Sequence, residues 1–181
     1  MLFKSYADKP SFRMTPTHMS DTALSEMLSA RPVLNADVLF YNREKHEVYL
    51  PTRRSKPAEG LWFIGGALKA GEQPTDTLVR RLAKETGLSI DPARLELLGL
   101  INHLWSYRKE TPKQDGRHDY NFIYALSLTE TEQKQAETHL DPVEYEVEKG
   151  LTPFASATLL TAVGARDVLI DCYQALFPAK D

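Results

Sequence analysis

The chain has 181 residues, 42% hydrophobic and 26% charged, with a net charge of −3. That length suits one domain with a substantial core rather than two, and the slightly acidic balance excludes the basic footprint of a nucleic-acid binder. A single cysteine, Cys172, rules out an intrachain disulfide framework or a thiolate zinc cluster, while the lack of an apolar h-region or a long apolar run points to a soluble cytoplasmic protein that does not engage a membrane.

Residues 1–19 are predicted to be an extended arm, since Pro10 and Pro16 interrupt any helix. Residues 20–181 then form the domain, and the arm could pack on it or on the second subunit of a homodimer. A short helix is expected over Asp21 to Ala30, with Ser20 as N-cap and Leu24, Met27 and Leu28 on one face. Pro32 breaks it, and Val33 to Tyr41 is rich enough in Val, Leu and Phe for a strand. Glu47 to Leu50 predicts a second strand ending at Pro51. A polar, basic loop follows over Thr52 to Gly60, then a short apolar strand over Leu61 to Ile64.

The next helix starts near Pro74, a residue suited to a first helical position. It puts Leu78, Val79, Leu82 and Ala83 on one face and Arg80, Arg81 and Lys84 on the other, with Glu85 at the boundary. Gly87 stands where a left-handed cap belongs. Strands are expected over Leu95 to Tyr107, Asn121 to Leu128 and Val143 to Val147, with a polar loop over Lys109 to Gly116. Thr152 and Pro153 are expected to open a helix, and Ala165 to Phe177 to form the last one, burying Cys172. Interleaved strands and helices indicate a layered α/β fold.

The segment with the strongest chemical content is Gly65 to Leu88. Its spacing, Gly66-x5-Glu72-x7-Arg80-x4-Glu85-x-Gly87-Leu88, resembles the Nudix box, a motif that handles pyrophosphates. Two positions that usually carry metal-binding glutamates hold Arg81 and Lys84. Residues four apart on a helix are neighbours, so Arg81 lies beside Glu85. Arg81 and Lys84 could grip phosphates directly. Alternatively, Arg81 forms a surface salt bridge with Glu85 and competes there with a metal.

Upstream, Leu24 to Gly66 is similar to the same region of the GDP-mannose mannosyl hydrolases, a divergent Nudix branch. The most telling residues are Pro32-Val33, Asp37, Arg53 and the run from Lys56 to Phe63. The resemblance implies an α/β/α sandwich with a mixed sheet and one divalent metal, Mg2+ or Mn2+. It implies release of nucleoside diphosphate and free sugar from a nucleotide sugar such as GDP-mannose or GDP-glucose, by attack at the anomeric carbon, and it makes a homodimer reasonable.

By the same resemblance, Glu85 and the Gly65 carbonyl match metal ligands, Arg53 an arginine on the diphosphate, Asp37 an aspartate near the substrate, and Tyr120 a substrate-contacting tyrosine. Glu72 matches a glutamate that bonds the loop. Where the branch places a metal-binding glutamine and a base histidine, this chain has Glu144 and Tyr145. Glu144 could ligate a metal, but tyrosine is protonated at neutral pH (reference pKa ~10). A base would then come from elsewhere, from His103, His118 (close to Tyr120) or His139, or equally from Glu144 or Glu146 acting on water. The expected activity is therefore hydrolysis of a nucleotide sugar. Two alternatives stay open, a Nudix pyrophosphatase for another substrate and a non-catalytic Nudix module that binds a nucleotide or a partner protein.

Overall fold

A computed structural model describes residues 18–178. Nearly all of the arm expected over residues 1–19 lies outside the described residues. The chain enters through helix α1 (Asp21–Ala30), where the Ser20 side chain accepts a hydrogen bond from the Ala23 amide at 3.2 Å. Strand β1 (Val33–Asn42) follows, then β2 (Glu47–Arg53), β3 (Gly60–Leu61) and β4 (Ile64–Ala67). Helix α2 (Pro74–Thr86) carries the box, and β5 (Glu96–Trp105) and β6 (Arg117–Ser127) form a long hairpin. Helix α3 (Glu130–Thr138), strand β7 (Leu151–Phe154), and helices α4 (Ala157–Ala162) and α5 (Asp167–Leu176) complete the domain.

The strands form one mixed sheet in the order β3-β2-β1-β6-β5, with β4 paired to β1 and β7 to β2. Only β1 and β6 run parallel, with Val33 opposite Asp119 and Asp37 opposite Ile123. Alternation along β1 sends Ala36, Val38 and Phe40 to one face, where they pack with Leu78 and Leu82 of α2 and Ala136 of α3. Leu39 and Tyr41 point the other way, into a second core with Ile123 and Ala125 of β6 and Leu169 and Cys172 of α5. Helices thus cover both faces, giving the α/β/α sandwich.

Several elements differ from the sequence expectations. The single strand expected over Leu61 to Ile64 is split, with Leu61 ending β3 and Ile64 opening β4, and β6 starts at Arg117 rather than Asn121. The β2 strand continues past Pro51 to Arg53; the Pro51 carbonyl accepts from the Trp62 amide at 3.2 Å, a single bond where a residue with an N–H would exchange two. Thr152 and Pro153 lie in β7, paired with Tyr49 and Leu50 rather than opening a helix; α4 begins later, capped by Ser156. The strand expected over Val143 to Val147 is reduced to one bridge between Tyr145 and Arg53. Helix α3 has little apolar content, but its start is spelled out by a capping box, with Thr129 and Glu132 bonding each other's backbone amides.

Gly65 sits in the antiparallel β1–β4 ladder, opposite Asp37. A Cβ there would approach Asp37 Cα to 2.7 Å and overlap the Ala36 carbonyl. Gly65→Ala is expected to lower the unfolding free energy by about 1–3 kcal/mol through overpacking. Gly99→Ala, whose added methyl meets nothing within 4 Å, should leave urea-unfolding midpoints essentially unchanged.

Candidate functional site

On the α5-side face, two residues near the start of β1 and two near the start of β6 are polar. Asn35 and Asp37 precede Leu39 and Tyr41 on β1, and Asp119 and Asn121 precede Ile123 and Ala125 on β6. These four line a cleft of about 330 Å³, open at the end of the sheet that α4 and α5 do not cover. Arg53 from the end of β2, Arg81 from α2, Glu144 from the segment before β7, and Trp62 and Trp105 complete its walls.

The three arginines of the cleft, Arg53, Arg81 and Arg117, already have anionic partners. Arg53 Nη2 lies 3.1 Å from Glu144 Oε2 and also donates to Ser55 Oγ. Arg117 Nε donates to Asp119 Oδ1 at 2.7 Å, and the second oxygen of Asp119 accepts from the Trp105 indole at 2.9 Å. Although burial alone would push Glu144 up, the charge and hydrogen bond of Arg53 outweigh it and hold that carboxyl below its usual range. Asp37 behaves oppositely. Burial raises it to about 6, with the hydrogen bond from Asn121 and the charges of Arg53 and Arg81 opposing only in part.

Helix α2 begins with Pro74 and ends on Gly87 at φ 67°, as the spacing indicates. Glu72 is structural. Its two oxygens accept from Arg80 Nε and Nη2 at 2.7 Å, from Thr77 Oγ1 and from the Lys69 amide, which closes the loop onto the helix. The Arg80 hydrogen bonds hold Glu72 at about 2, against the upward push of burial.

Glu85 is fully buried rather than at a boundary. Arg81 Nη2 stands 2.7 Å from Glu85 Oε1, close enough for an ion pair though not aligned as a hydrogen bond. Arg81 Nε donates to the Gly65 carbonyl at 2.9 Å, and the Tyr145 hydroxyl donates to Glu85 Oε2 at 2.5 Å. The salt bridge expected at the surface is therefore an interior one. Burial raises Glu85, with Arg81 and Tyr145 pulling it down. Burial and the neighbouring Glu85 hold Tyr145 well above the ordinary tyrosine value, so it acts as a hydrogen-bond donor.

The structure brings together Asp37, Arg53, Gly65, Arg81, Glu85, Glu144 and Tyr145. It does not bring Lys84, His118 or Tyr120 to the cleft. Lys84 is largely exposed, 3.9 Å from Asp141. His118 and Tyr120 point to the opposite face of β6 from Asp119 and Asn121, and His118 Nε2 lies 2.8 Å from Asn102 Oδ1. His139 caps α3, and His103 stacks on Trp105, its pKa lowered by burial. Asp119, Asn121, Arg117, Trp62 and Trp105 were not among the sequence candidates. Polar residues at alternate positions in otherwise apolar strands were the signal for the first two.

The chain belongs to the NUDIX domain family, whose model matches residues 31–165. Members act on small nucleotide substrates and generally use divalent metal ions such as Mg2+. Among solved structures it is similar to a MutT NUDIX hydrolase from Burkholderia pseudomallei, with 18% identity, TM-score 0.51, and 69% of this chain and 84% of that one covered. It is also similar to a MutT protein from Methanosarcina mazei Go1, with 14% identity, TM-score 0.54, and 81% and 94% covered. A third is the E. coli dihydroneopterin triphosphate pyrophosphohydrolase, with 13% identity, TM-score 0.52, and 78% and 92% covered. At these identities the likeness establishes the fold. No curated protein matches the chain.

The residues present do not fit the divalent ion of the family. Among the described residues no three His, Cys, Asp or Glu side chains are grouped to hold a metal. The candidate ligands Gly65 and Glu85 both face the Arg81 guanidinium, and Glu144 is engaged by Arg53.

The raised Asp37 fixes a sign for pH dependence. The native carboxyl holds its proton more tightly than an unfolded one. Its contribution to stability is thus full below the ordinary value of 3.8 and is lost as pH rises through about 6. Asp37→Asn is expected to raise unfolding free energy at pH 7.5 by roughly 2–3 kcal/mol and to flatten the fall in stability over that window, measured by urea denaturation across pH.

Proposed function

We propose that the protein hydrolyses a nucleoside-diphosphate sugar, of the GDP-mannose or GDP-glucose kind, by attack of water at the anomeric carbon. The observation that carries this reading is Asp37, a cleft-lining carboxyl raised to about 6 with two guanidiniums, Arg53 and Arg81, near enough to act on it electrostatically. A carboxylate with that pKa is mostly ionised at neutral pH and basic enough to take a proton from water.

In the proposed step, a water oxygen bonds to the anomeric carbon as Asp37 accepts its proton. The bond from that carbon to the diphosphate oxygen breaks, and its electron pair leaves with the nucleoside diphosphate. Arg53 and Arg81, which line the same cleft, would stabilise the leaving charge. Arg53 would turn part of its fork from Glu144 to the diphosphate, while Trp105, backed by the buried Trp62, would offer apolar surface to a ring. Their positions are supported from behind by Arg166, whose guanidinium lies 5.6 and 5.4 Å from the two ring centroids.

A second reading, a Nudix module that binds a nucleotide without turnover, is favoured by a different observation. Among the described residues no histidine lines the cleft, and each of Arg53, Arg81 and Arg117 is already ion-paired.

Incubation with a panel of nucleotide sugars, with resolution of the products, separates the readings. Free sugar with nucleoside diphosphate is expected, and Asp37→Asn should lower kcat by about 100-fold or more with KM little changed. Sugar phosphate with nucleoside monophosphate would instead mean attack at phosphorus. Saturable binding without any product would establish the binding module.

A further inference from the structure

We propose that the Arg81 guanidinium permanently replaces the divalent cation of this site, so that the chain binds its phosphorylated ligand without metal. The inference goes beyond the hydrolase reading and stands whether the ligand is turned over or only held.

The geometry of three groups carries it. The Gly65 carbonyl and the Glu85 carboxylate match metal ligands only by the family resemblance, and here Arg81 joins them, with Nε 2.9 Å from the carbonyl and Nη2 2.7 Å from the carboxylate. The opposite oxygen of Glu85 is taken by the Tyr145 hydroxyl. Both carboxylate oxygens thus have partners, and an incoming cation would meet a guanidinium at contact distance.

The surroundings are shaped for this side chain. Gly66 lies against the guanidinium: a Cβ there would come within 3.0 Å of Arg81 Nε and Nη2. Arg81 is 19% exposed and lines the cleft, so a guanidinium with five N–H donors can hold Gly65 and Glu85 and still offer donors to a ligand. Charge agrees with geometry. A magnesium site draws on carboxylates to balance two positive charges, whereas one buried carboxylate balances one guanidinium here. The other substituted box position, Lys84, turns outward to Asp141 and leaves the interior to Arg81.

The test uses the full chain stripped with chelator and titrated with Mn2+, followed by calorimetry and by the EPR signal of the free ion. Wild type is expected to show no stoichiometric binding with Kd below about 1 mM. Arg81→Glu places a second carboxylate one helical turn from Glu85. It should take up one Mn2+ at least ~10-fold more tightly, and its Tm should rise by about 5 °C at a hundredfold excess over Kd. Inorganic pyrophosphate provides an arm that does not need this variant to fold. Its affinity for wild type should be the same in EDTA as in Mg2+, and Arg81→Gln should weaken it at least ~10-fold, the loss of one charged hydrogen-bonding partner. Stoichiometric Mn2+ binding by wild type that Glu85→Gln abolishes, or a folded Arg81→Glu variant indifferent to Mn2+, overturns the proposal, as does pyrophosphate binding that requires Mg2+. None of these readouts depends on turnover, so failure of the hydrolase reading leaves them unchanged.

Discussion

One buried carboxylate organises this molecule. Glu85 has no exposed surface, and an unpaired charge there would cost a large share of the stability of a domain this size. Its partners come from different parts of the chain: Arg81 from the preceding turn of α2, and Tyr145 from the segment before β7. Arg81 in turn ties the helix to the Gly65 carbonyl on β4, and the Glu85 backbone carbonyl accepts from the Asp141 amide. Breaking such a pair by removing one partner is typically worth about 3–5 kcal/mol, softened where the survivor can change protonation. The raised Glu85 leaves that route open.

The same arrangement explains the polar end of the sheet. The β1 and β6 strands are parallel and in register, so their polar residues fall side by side at one end of a face whose other end is apolar core. Asp37 is the least compensated of these groups. Gly65 stands opposite it in the β1–β4 ladder, and Asn121 supplies its hydrogen bond. The arginines around it are held by Glu144 and Asp119 before any ligand arrives. Such pairs preorganise the guanidiniums and lower the entropy lost on binding, but the ligand must then compete with a carboxylate for each fork.

Local signals that need only a few consecutive residues were legible in the sequence. Ser20 before α1, Pro74 and Gly87 at the ends of α2, and the loop-closing Glu72 stand where their chemistry places them. What depended on partners far along the chain was not. The strand containing Thr152 and Pro153 exists because β2 lies beside it, and the piece at Tyr145 pairs only through Arg53. Helix α3 was legible in its capping box but masked by its polar composition. His118 and Tyr120 were the wrong parity of β6. The run alone does not say which alternate set faces inward, whereas continuity with Ile123 and Ala125 selects Asp119 and Asn121. Burial of Glu85 was hidden for the same reason, since Tyr145 is sixty residues away.

The hold of Arg81 on Gly65 and Glu85 has a consequence for the setting in which the protein works. A free ion occupies its site only as often as its concentration and dissociation constant allow. A guanidinium on a three-carbon stem is always present, and its charge persists at any pH the fold survives. Depletion of divalent cations in the surroundings would silence a site that depends on them and leave this one charged. The variable that tunes it is ionic strength, which screens the approach of an anionic ligand from solution much more than it weakens the interior pair.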